Sequence, residues 1–139
     1  MALRLNQVYL KHRFGDTQLF DDAFPTLNAL RVRYTLGILS NGNSYPERCG
    51  LEGTLQFVVF SQDYGVEKPN STLFQIALEK AGCSRHQLLH VGDSLQEDVI
   101  GAINADIRCV WLNRKQVKSI LNLKIDYEIS SLLELPEIL

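Results

Sequence analysis

The stretch LLHVGDSLQEDVIGAINA, residues 88–105, decides the fold. It begins with a short apolar run, turns at Gly92-Asp93 and continues with apolar residues at helical spacing. A near-continuously apolar strand that runs directly into an amphipathic helix is typical of a parallel sheet covered by helices on both faces. Asp93 ends the predicted strand and Asp98 lies in the first turns of the predicted helix, so we expect both carboxylates to face one crevice.

The composition is that of one ordinary globular domain. The chain has 139 residues, of which 45% are hydrophobic and 22% charged, and its formal net charge is -2. No basic face favours nucleic acid, and no apolar run has the length of a membrane span, so neither partner is expected. The three cysteines lack metal-site spacing and there is no signal-peptide pattern, so we expect reduced thiols and a cytoplasmic location.

The same alternation of strand and helix occurs along much of the chain. Predicted strands lie at Tyr34–Leu39, Phe57–Phe60, Leu88–Val91 and Arg108–Leu112. Predicted helices lie at AFPTLNALRVR, NSTLFQIALEKAG and SLQEDVIGAINA. Strands that alternate with helices imply right-handed crossovers in an open α/β sheet.

Two of these helices carry end signals. Asn70 is placed to cap the second helix and Gly82 to stop it, while Ser94 and Glu97 are spaced as a capping box for the third. The N-terminal segment is less regular: LNQVYLKHRF has the pattern of a weak helix, and Gly15-Asp16 that of a turn.

Ligands of open α/β sheets bind beyond the carboxyl ends of the strands, so the polar residues there are the candidates. They are Ser40-Asn41, Ser61-Gln62-Asp63, Asp93-Ser94 and Asn113-Arg114. The hydroxyl of Ser40 and the loop N–H groups at Asn41 suit phosphate oxygens, although the same residues form ordinary turns.

Lys68 precedes Pro69, which disfavours a helical conformation at the lysine and places it just ahead of a helix N-terminus. A cation gains nothing from the helix dipole there, so this lysine either faces an anion or is a solvated surface residue. Asp93 and Asp98 suit Mg²⁺, which prefers oxygen ligands and keeps several waters. The alternative for Asp93 is an ordinary turn residue, and the alternative for Asp98 is an exposed acid at the start of a helix.

The remaining candidates are weaker. His90, inside a predicted strand, is interpreted as a packed and hydrogen-bonded residue, and His12 and His86 as surface residues. Trp111 is interpreted as core or partner surface. No spacing indicates a nucleophile–histidine–acid set.

Taken in order, LGILSNG, GVEKPNSTLFQIALEKAG and LLHVGDSLQEDVIGAINADIRCVWLNR resemble the C-terminal part of a haloacid dehalogenase-like (HAD) hydrolase, of the subgroup composed mostly of phosphatases. The resemblance covers residues 24 to 115. It implies a Rossmann-like, mainly parallel sheet flanked by helices, with a partial core over residues 21–139. Residues 1–20 would then be a cap remnant or an N-terminal helix.

The resemblance also implies roles for single residues. Ser40 and Asn41 match the phosphate-binding motif, and Lys68 matches the lysine that stabilises the charge of nucleophile and phosphate. Asp93 and Asp98 match the acidic motif that holds Mg²⁺, in which the first contacts the ion and the second supports the site. The implied activity is Mg²⁺-dependent hydrolysis of a small phosphate monoester.

One family motif is missing. The family's nucleophile and general acid/base form an Asp-x-Asp at the end of a strand, and the sequence contains no Asp-x-Asp. Asp16, Asp21 and Asp22 follow no apolar strand. We therefore expect the chain to be inactive or nearly so. The alternative is a non-catalytic HAD-like module that binds Mg²⁺, phosphate or a protein partner. A receiver-type signalling domain is opposed by the order of the motifs.

The missing motif also removes the usual central strand of the sheet, between Tyr34–Leu39 and Leu88–Val91. These strands must pair directly, gain a strand from elsewhere, through a homodimer or donation, or leave backbone groups unpaired at about 1–3 kcal/mol each. A smaller departure is Asp106, where the family usually has a glycine at the end of a helix.

Overall fold

The computed structural model describes residues 4–5, 10–13, 16–19, 23–40, 56–119 and 122–139. Its strands are β1 Arg4–Leu5, β2 Leu10–Arg13, β3 Asp16–Leu19, β4 Thr35–Ser40, β5 Phe57–Phe60, β6 Leu89–Gly92, β7 Arg108–Leu112 and β8 Tyr127–Ile129. Its α-helices are α1 Ala23–Leu30, α2 Ser71–Ala81, α3 Ile100–Asn104 and α4 Leu135–Ile138. Short 3₁₀ turns lie at Ser61–Asp63, Arg85–Gln87 and Leu132–Glu134.

Six strands form one sheet in the order β5-β4-β1-β6-β7-β8, and each neighbouring pair is parallel. This confirms the predicted α/β class. The four strands predicted from apolar runs all occur, each within one residue of its expected ends. Parallel strands need crossovers, and helices or longer connections supply them here.

The place between β4 and β6 is taken by β1, which comes from the beginning of the chain. In β1, Arg4 pairs with Thr35, and Leu5 pairs with Leu36 on one side and Leu89 on the other. This strand belongs to the same chain, so β4 and β6 do not pair directly with each other. A strand supplied through a homodimer or by donation stays a prediction.

The weak helix expected over residues 5–14 is not what the structure has at Leu10–Arg13. These residues form β2, which pairs antiparallel with β3 through Leu10 with Leu19 and Arg13 with Asp16. Pairing with a neighbouring strand outweighs the weak helical pattern, because helix propensity is easily overridden by tertiary contacts. The origin of residues 1–20 as a cap remnant stays a prediction.

The core has two layers, one on each face of the sheet. On one face, α1 and the C-terminal turn and helix cover Leu36, Ile38, Leu89 and Val91. On the other face, α2 and α3 cover a second buried cluster that includes Leu39, Val59, Leu73, Phe74, Val99 and Trp111. Successive strand residues alternate between the faces, so His90, between Leu89 and Val91, projects toward α2 and α3.

Helix α2 begins and ends where the sequence predicts. The side chain of Asn70 accepts a hydrogen bond from the N–H of Thr72 at 2.9 Å, which satisfies one donor of the first turn. Gly82 ends the helix in a left-handed conformation with φ of 67°. Leu73, Phe74 and Ala77 are buried, so the expected apolar face is correct. Asn70 and Gly82 therefore fix the two ends of α2, which begins shortly after Lys68.

The segment after β6 differs from the expected single α-helix. Leu95–Val99 forms a π-helical turn that continues into α3. The expected capping box is half formed: Ser94 Oγ accepts from the N–H of Glu97 at 3.1 Å. The N–H of Ser94 donates to Asp98 Oδ2 at 3.1 Å rather than to Glu97. The wider π turn brings Asp98 back over the start of its own helix, where its carboxylate accepts the N–H of Ser94.

Candidate active site

The expected site residues lie at the carboxyl edge of the sheet. Ser40 is the last residue of β4, Gly92 is the last residue of β6, and Asp93 follows Gly92 directly. Because β4 and β6 both flank β1, their carboxyl ends lie two strands apart at the same edge. Asn41 lies outside the described residues, so its phosphate-binding role stays a prediction.

Lys68 and Asp98 form the centre of the site. Lys68 Nζ donates to Asp98 Oδ1 at 2.5 Å, and the two side chains are 2% and 1% exposed. A lysine buried to this degree is not the solvated surface residue considered above, and Asp98 is not an exposed helix acid. The sequence separates these residues by 30 positions, and the start of α2 and the π turn bring them together.

His90 is the third member of this cluster, which we call the buried triad of Lys68, His90 and Asp98. Its Nε2 lies 2.9 Å from Asp98 Oδ1, and its ring is fully buried against Phe74, with the ring centroids 5.0 Å apart at 79°. The interpretation of His90 as packed and hydrogen-bonded is confirmed. What the sequence did not reveal is that its partner is the candidate site residue Asp98.

The protonation states in the triad follow from burial and charge. Burial alone would raise the pKa of Asp98, but the hydrogen bond from His90 and the charge of Lys68 outweigh it and hold the pKa well below its usual range. Burial lowers the pKa of His90, although the neighbouring Asp98 acts in the opposite direction. Near neutral pH the histidine is therefore neutral with its proton on Nε2, which donates to the ionised carboxylate.

The backbone around Asp98 leaves this carboxylate little freedom. A Cβ added to Gly92 would lie 2.1 Å from Asp98 Cγ, so the carboxylate packs directly on the glycine backbone. The N–H of Ser94 holds Oδ2, while Lys68 and His90 hold Oδ1. The glycine at the end of β6 therefore allows the Asp98 carboxylate to approach the backbone closely.

Asp93 differs from Asp98 in its surroundings. Its residue is exposed, and its backbone carbonyl accepts a hydrogen bond from Trp111 Nε1 at 3.1 Å. Trp111 is 3% exposed, so it is a core residue that also fixes the turn after β6. Sequence reasoning missed this link, because Trp111 lies in β7, 18 positions along the chain from the turn that follows the adjacent strand β6.

Of the two candidate aspartates, Asp93 is the one placed to hold Mg²⁺. Asp93 presents an exposed carboxylate at the strand end, and Mg²⁺ is commonly bound by one or two carboxylates, waters and a substrate phosphate. Within the described residues there is no group of three His, Cys, Asp or Glu side chains suited to a metal. Both oxygens of Asp98 already accept hydrogen bonds from the protein, so its contribution to a metal site stays a prediction.

Comparison with known proteins identifies the family of the chain. The family description "Haloacid dehalogenase-like hydrolase" matches residues 3–112. The pyrimidine 5'-nucleotidase YjjG of Escherichia coli strain K12 is 34% identical over 142 residues, which covers 98% of this chain and 63% of that protein. The chain therefore belongs to the haloacid dehalogenase-like hydrolase family.

Solved structures show the same fold. A 2-haloacid dehalogenase from Pseudomonas syringae pv. Tomato DC3000 superposes with a TM-score of 0.84 at 34% identity, covering 88% of this chain and 53% of the other. The HAD-hydrolase YfnB of Bacillus subtilis, whose structure is described as bound to magnesium, has a TM-score of 0.80 at 29% identity, covering 86% and 55%. In each case the chain spans little more than half of its relative.

The described helices include none with the length and apolar character needed to cross a membrane. The relatives compared above are described as a pyrimidine 5'-nucleotidase, a 2-haloacid dehalogenase and a HAD-hydrolase.

Proposed function

We propose that the chain carries the phosphate- and magnesium-binding part of a phosphate monoester hydrolase site and does not itself turn over phosphate esters at an appreciable rate. The observation that supports the binding part most strongly is the buried ion pair of Lys68 and Asp98 beside the strand end that bears Asp93. A buried cation held at the mouth of a parallel sheet suits a ligand with concentrated negative charge.

The proposed roles divide between the two aspartates. Asp98 fixes the position of the Lys68 ammonium, which has three N–H donors and gives one of them to Asp98 Oδ1. We assign phosphate binding to Lys68 together with Ser40 and Asn41. Asp93 would hold Mg²⁺, with Asp98 supporting the site from behind. When bound, Mg²⁺ would neutralise negative charge on the phosphate oxygens.

The absence of turnover is proposed from the sequence. Covalent phosphoryl transfer needs a carboxylate nucleophile. The central strand β1 is followed in the sequence by Asn6-Gln7-Val8, which provides no carboxylate. This favours the second candidate function, a non-catalytic module of the same fold that binds Mg²⁺ and phosphate. In an active form the substrate would be a small phosphorylated metabolite.

The test uses Trp111, the single tryptophan, as reporter of binding. Its indole donates to the backbone of Asp93, so its fluorescence should respond to Mg²⁺ and inorganic phosphate added together to the purified chain. We expect the response to be lost in Asp93→Asn and kept in Asp106→Asn. Asp106 is a suitable control because it lies at the opposite edge of the sheet, ahead of β7.

Two results would contradict the proposal. A wild-type chain with no response to Mg²⁺ and phosphate would reject the binding function. Robust Mg²⁺-dependent hydrolysis of p-nitrophenyl phosphate, abolished by Asp93→Asn, would reject the lack of turnover. The second assay needs the same two variants, so that loss of activity is assigned to the site and not to lost charge.

Location and assembly are also proposals. Cys83 and Cys109 are free thiols in the structure, which suits a reducing compartment, and we propose the cytoplasm. A homodimer, or a strand donated by another chain, is our proposal for how the sheet is extended beside Arg4–Leu5, the part of the central strand that the structure describes. We propose no contact with nucleic acid or membrane.

A further inference from the structure

We infer that the loop after β7 forms a binding site for a second anionic group, carried by the same molecule whose phosphate binds at Lys68 and Asp93. The inference rests on the proposed phosphate site and adds the class of ligand: a phosphate ester with a carboxylate or second phosphate on its carbon skeleton. Nothing in the motifs described above assigns a role to this loop.

The site is a cavity of about 380 Å³ that begins at Asp93. Trp111 and Val117 give it apolar walls, and Arg114 and Lys115 line it with positive charge. Its volume lies at the lower end of small-molecule sites, which span about 300–1,000 Å³. Asp93 belongs both to the candidate metal site and to this cavity, so a ligand at Asp93 borders the two cationic side chains.

The loop is held in shape before any ligand binds. The side chain of Asn113 donates to the carbonyl of Val117 at 2.7 Å and accepts from the N–H of Val117 at 3.2 Å. It also donates to Glu128 Oε2 at 3.0 Å, and its backbone N–H donates to Ile129 in β8 at 2.7 Å. These bonds close the loop between Asn113 and Val117 and tie Asn113 to β8. A site formed in advance loses less entropy on binding.

The charge of the cavity favours an anion. Arg114 and Lys115 exceed the single carboxylate of Asp93 by one charge, and Mg²⁺ at Asp93 would make the excess larger. The carboxylate of Glu128 accepts from Asn113, and Glu128 is not among the residues that line the cavity. Guanidinium and ammonium groups bind carboxylates and phosphates through charge-assisted hydrogen bonds.

The experiment compares two ligands with the same three-carbon skeleton. With Mg²⁺ present, glycerol 3-phosphate offers one anionic group and 3-phosphoglycerate offers two, and Trp111 fluorescence reports binding of each. We expect 3-phosphoglycerate to bind about tenfold more tightly to the wild-type chain. Arg114→Gln/Lys115→Gln should bring the two affinities together, whereas the charge-matched control Arg31→Gln/Lys80→Gln should keep their ratio. Lys115→Glu, at an exposed position, repeats the test without disturbing the partly buried Arg114.

A mixture of inorganic phosphate and glycerate separates a second group on one molecule from a separate free anion. Responses to glycerate that depend on Arg114 and Lys115, without the tenfold preference for 3-phosphoglycerate, would overturn the single-ligand proposal in favour of an independent anion site. Equal affinities for both esters in the wild-type chain, or a ratio that survives the double substitution, would overturn the second site while phosphate binding stands. If no phosphate compound binds with Mg²⁺, the proposed function itself fails.

Discussion

Two ion pairs of the same kind lie at opposite edges of the sheet. At the carboxyl edge, Lys68 and Asp98 are 2.5 Å apart and 2% and 1% exposed. At the amino edge, Arg85 and Asp106 are 2.9 Å apart and 53% and 77% exposed. Exposed pairs contribute about 0–1 kcal/mol because water screens them. Buried pairs have a large desolvation penalty, so they are poor evidence for stability and better evidence for a requirement of function.

The two pairs therefore differ in where the remaining charge lies when one partner is removed. Loss of Arg85 leaves Asp106 in water. Loss of Asp98 leaves the Lys68 ammonium buried and without its carboxylate, with His90 losing the same acceptor. The buried triad holds a charged group at the place where we propose that phosphate binds, and the following substitutions test this contrast.

The largest effect is expected from Asp98→Leu. It should lower the free energy of unfolding by about 3–5 kcal/mol, the usual cost of removing one partner of a buried ion pair. Lys68→Met/Asp98→Leu should be more stable than Asp98→Leu alone, although not fully restored, because His90 still lacks its acceptor. Urea unfolding of both variants measures this. If Asp98→Leu lowers the free energy of unfolding no more than Arg85→Leu does, then burial does not make the Lys68–Asp98 pair more costly to break than an exposed pair.

Gly92→Ala should have the next largest effect. The new Cβ would lie 2.1 Å from Asp98 Cγ and 2.3 Å from Oδ2, so the carboxylate or the strand end must move. Overpacking of this kind costs about 1–3 kcal/mol. Asp98 Cβ would also lie 2.4 Å from the new Cβ, so only Asp98→Gly removes all three of the closest atoms. Gly92→Ala should therefore cost much less in the Asp98→Gly background. Equal costs in the two backgrounds, measured by urea unfolding, would show that Gly92 serves the backbone and not Asp98.

His90 makes the stability of the buried triad depend on pH. Because burial lowers the pKa of His90 in the folded chain, the unfolded chain binds the proton first, near its ordinary value of about 6.5. His90 should therefore contribute to a loss of stability as the pH falls below about 6.5. In His90→Gln, which keeps an N–H donor for Asp98, the fall in unfolding free energy between neutral and mildly acidic pH should be shallower. Parallel pH profiles for the two chains would contradict a neutral, buried His90.

Local signals in the sequence were sufficient for the elements but not for their contacts. Asn70 and Gly82 mark the ends of α2, because capping depends on a few adjacent residues. The ends of β6 and the candidate aspartates were also predictable, since a fully apolar run followed by Gly-Asp is visible locally. The family motifs implied roles for Lys68 and Asp98, which spacing alone left open and which stay predictions.

Long-range pairings were not predictable from local patterns. The Lys68–Asp98 contact joins residues 30 positions apart, and His90 reaches Asp98 only because of the π turn at Leu95–Val99. Strand β1 has no apolar run to announce it, and its place in the sheet depends on pairing with Thr35 and Leu89. Such contacts are set by the packing of the whole domain and not by propensity.

The smallest effects are expected at the amino edge, where Arg85→Gln and Asp106→Gly test the exposed pair. Asp106 has φ of 58°, a left-handed conformation that a glycine adopts without strain. Arg85→Gln should change the unfolding free energy by at most about 0.5 kcal/mol, as most surface substitutions do. Asp106→Gly loses the ion pair and gains backbone relief, so it should be near neutral or slightly stabilising, whereas Asp106→Ala keeps the strain and should be less stable than Asp106→Gly. Urea unfolding of the three variants separates the ion pair from the backbone. If Arg85→Gln costs as much as Asp98→Leu, the two edges do not differ and the functional reason for burying Lys68 is lost.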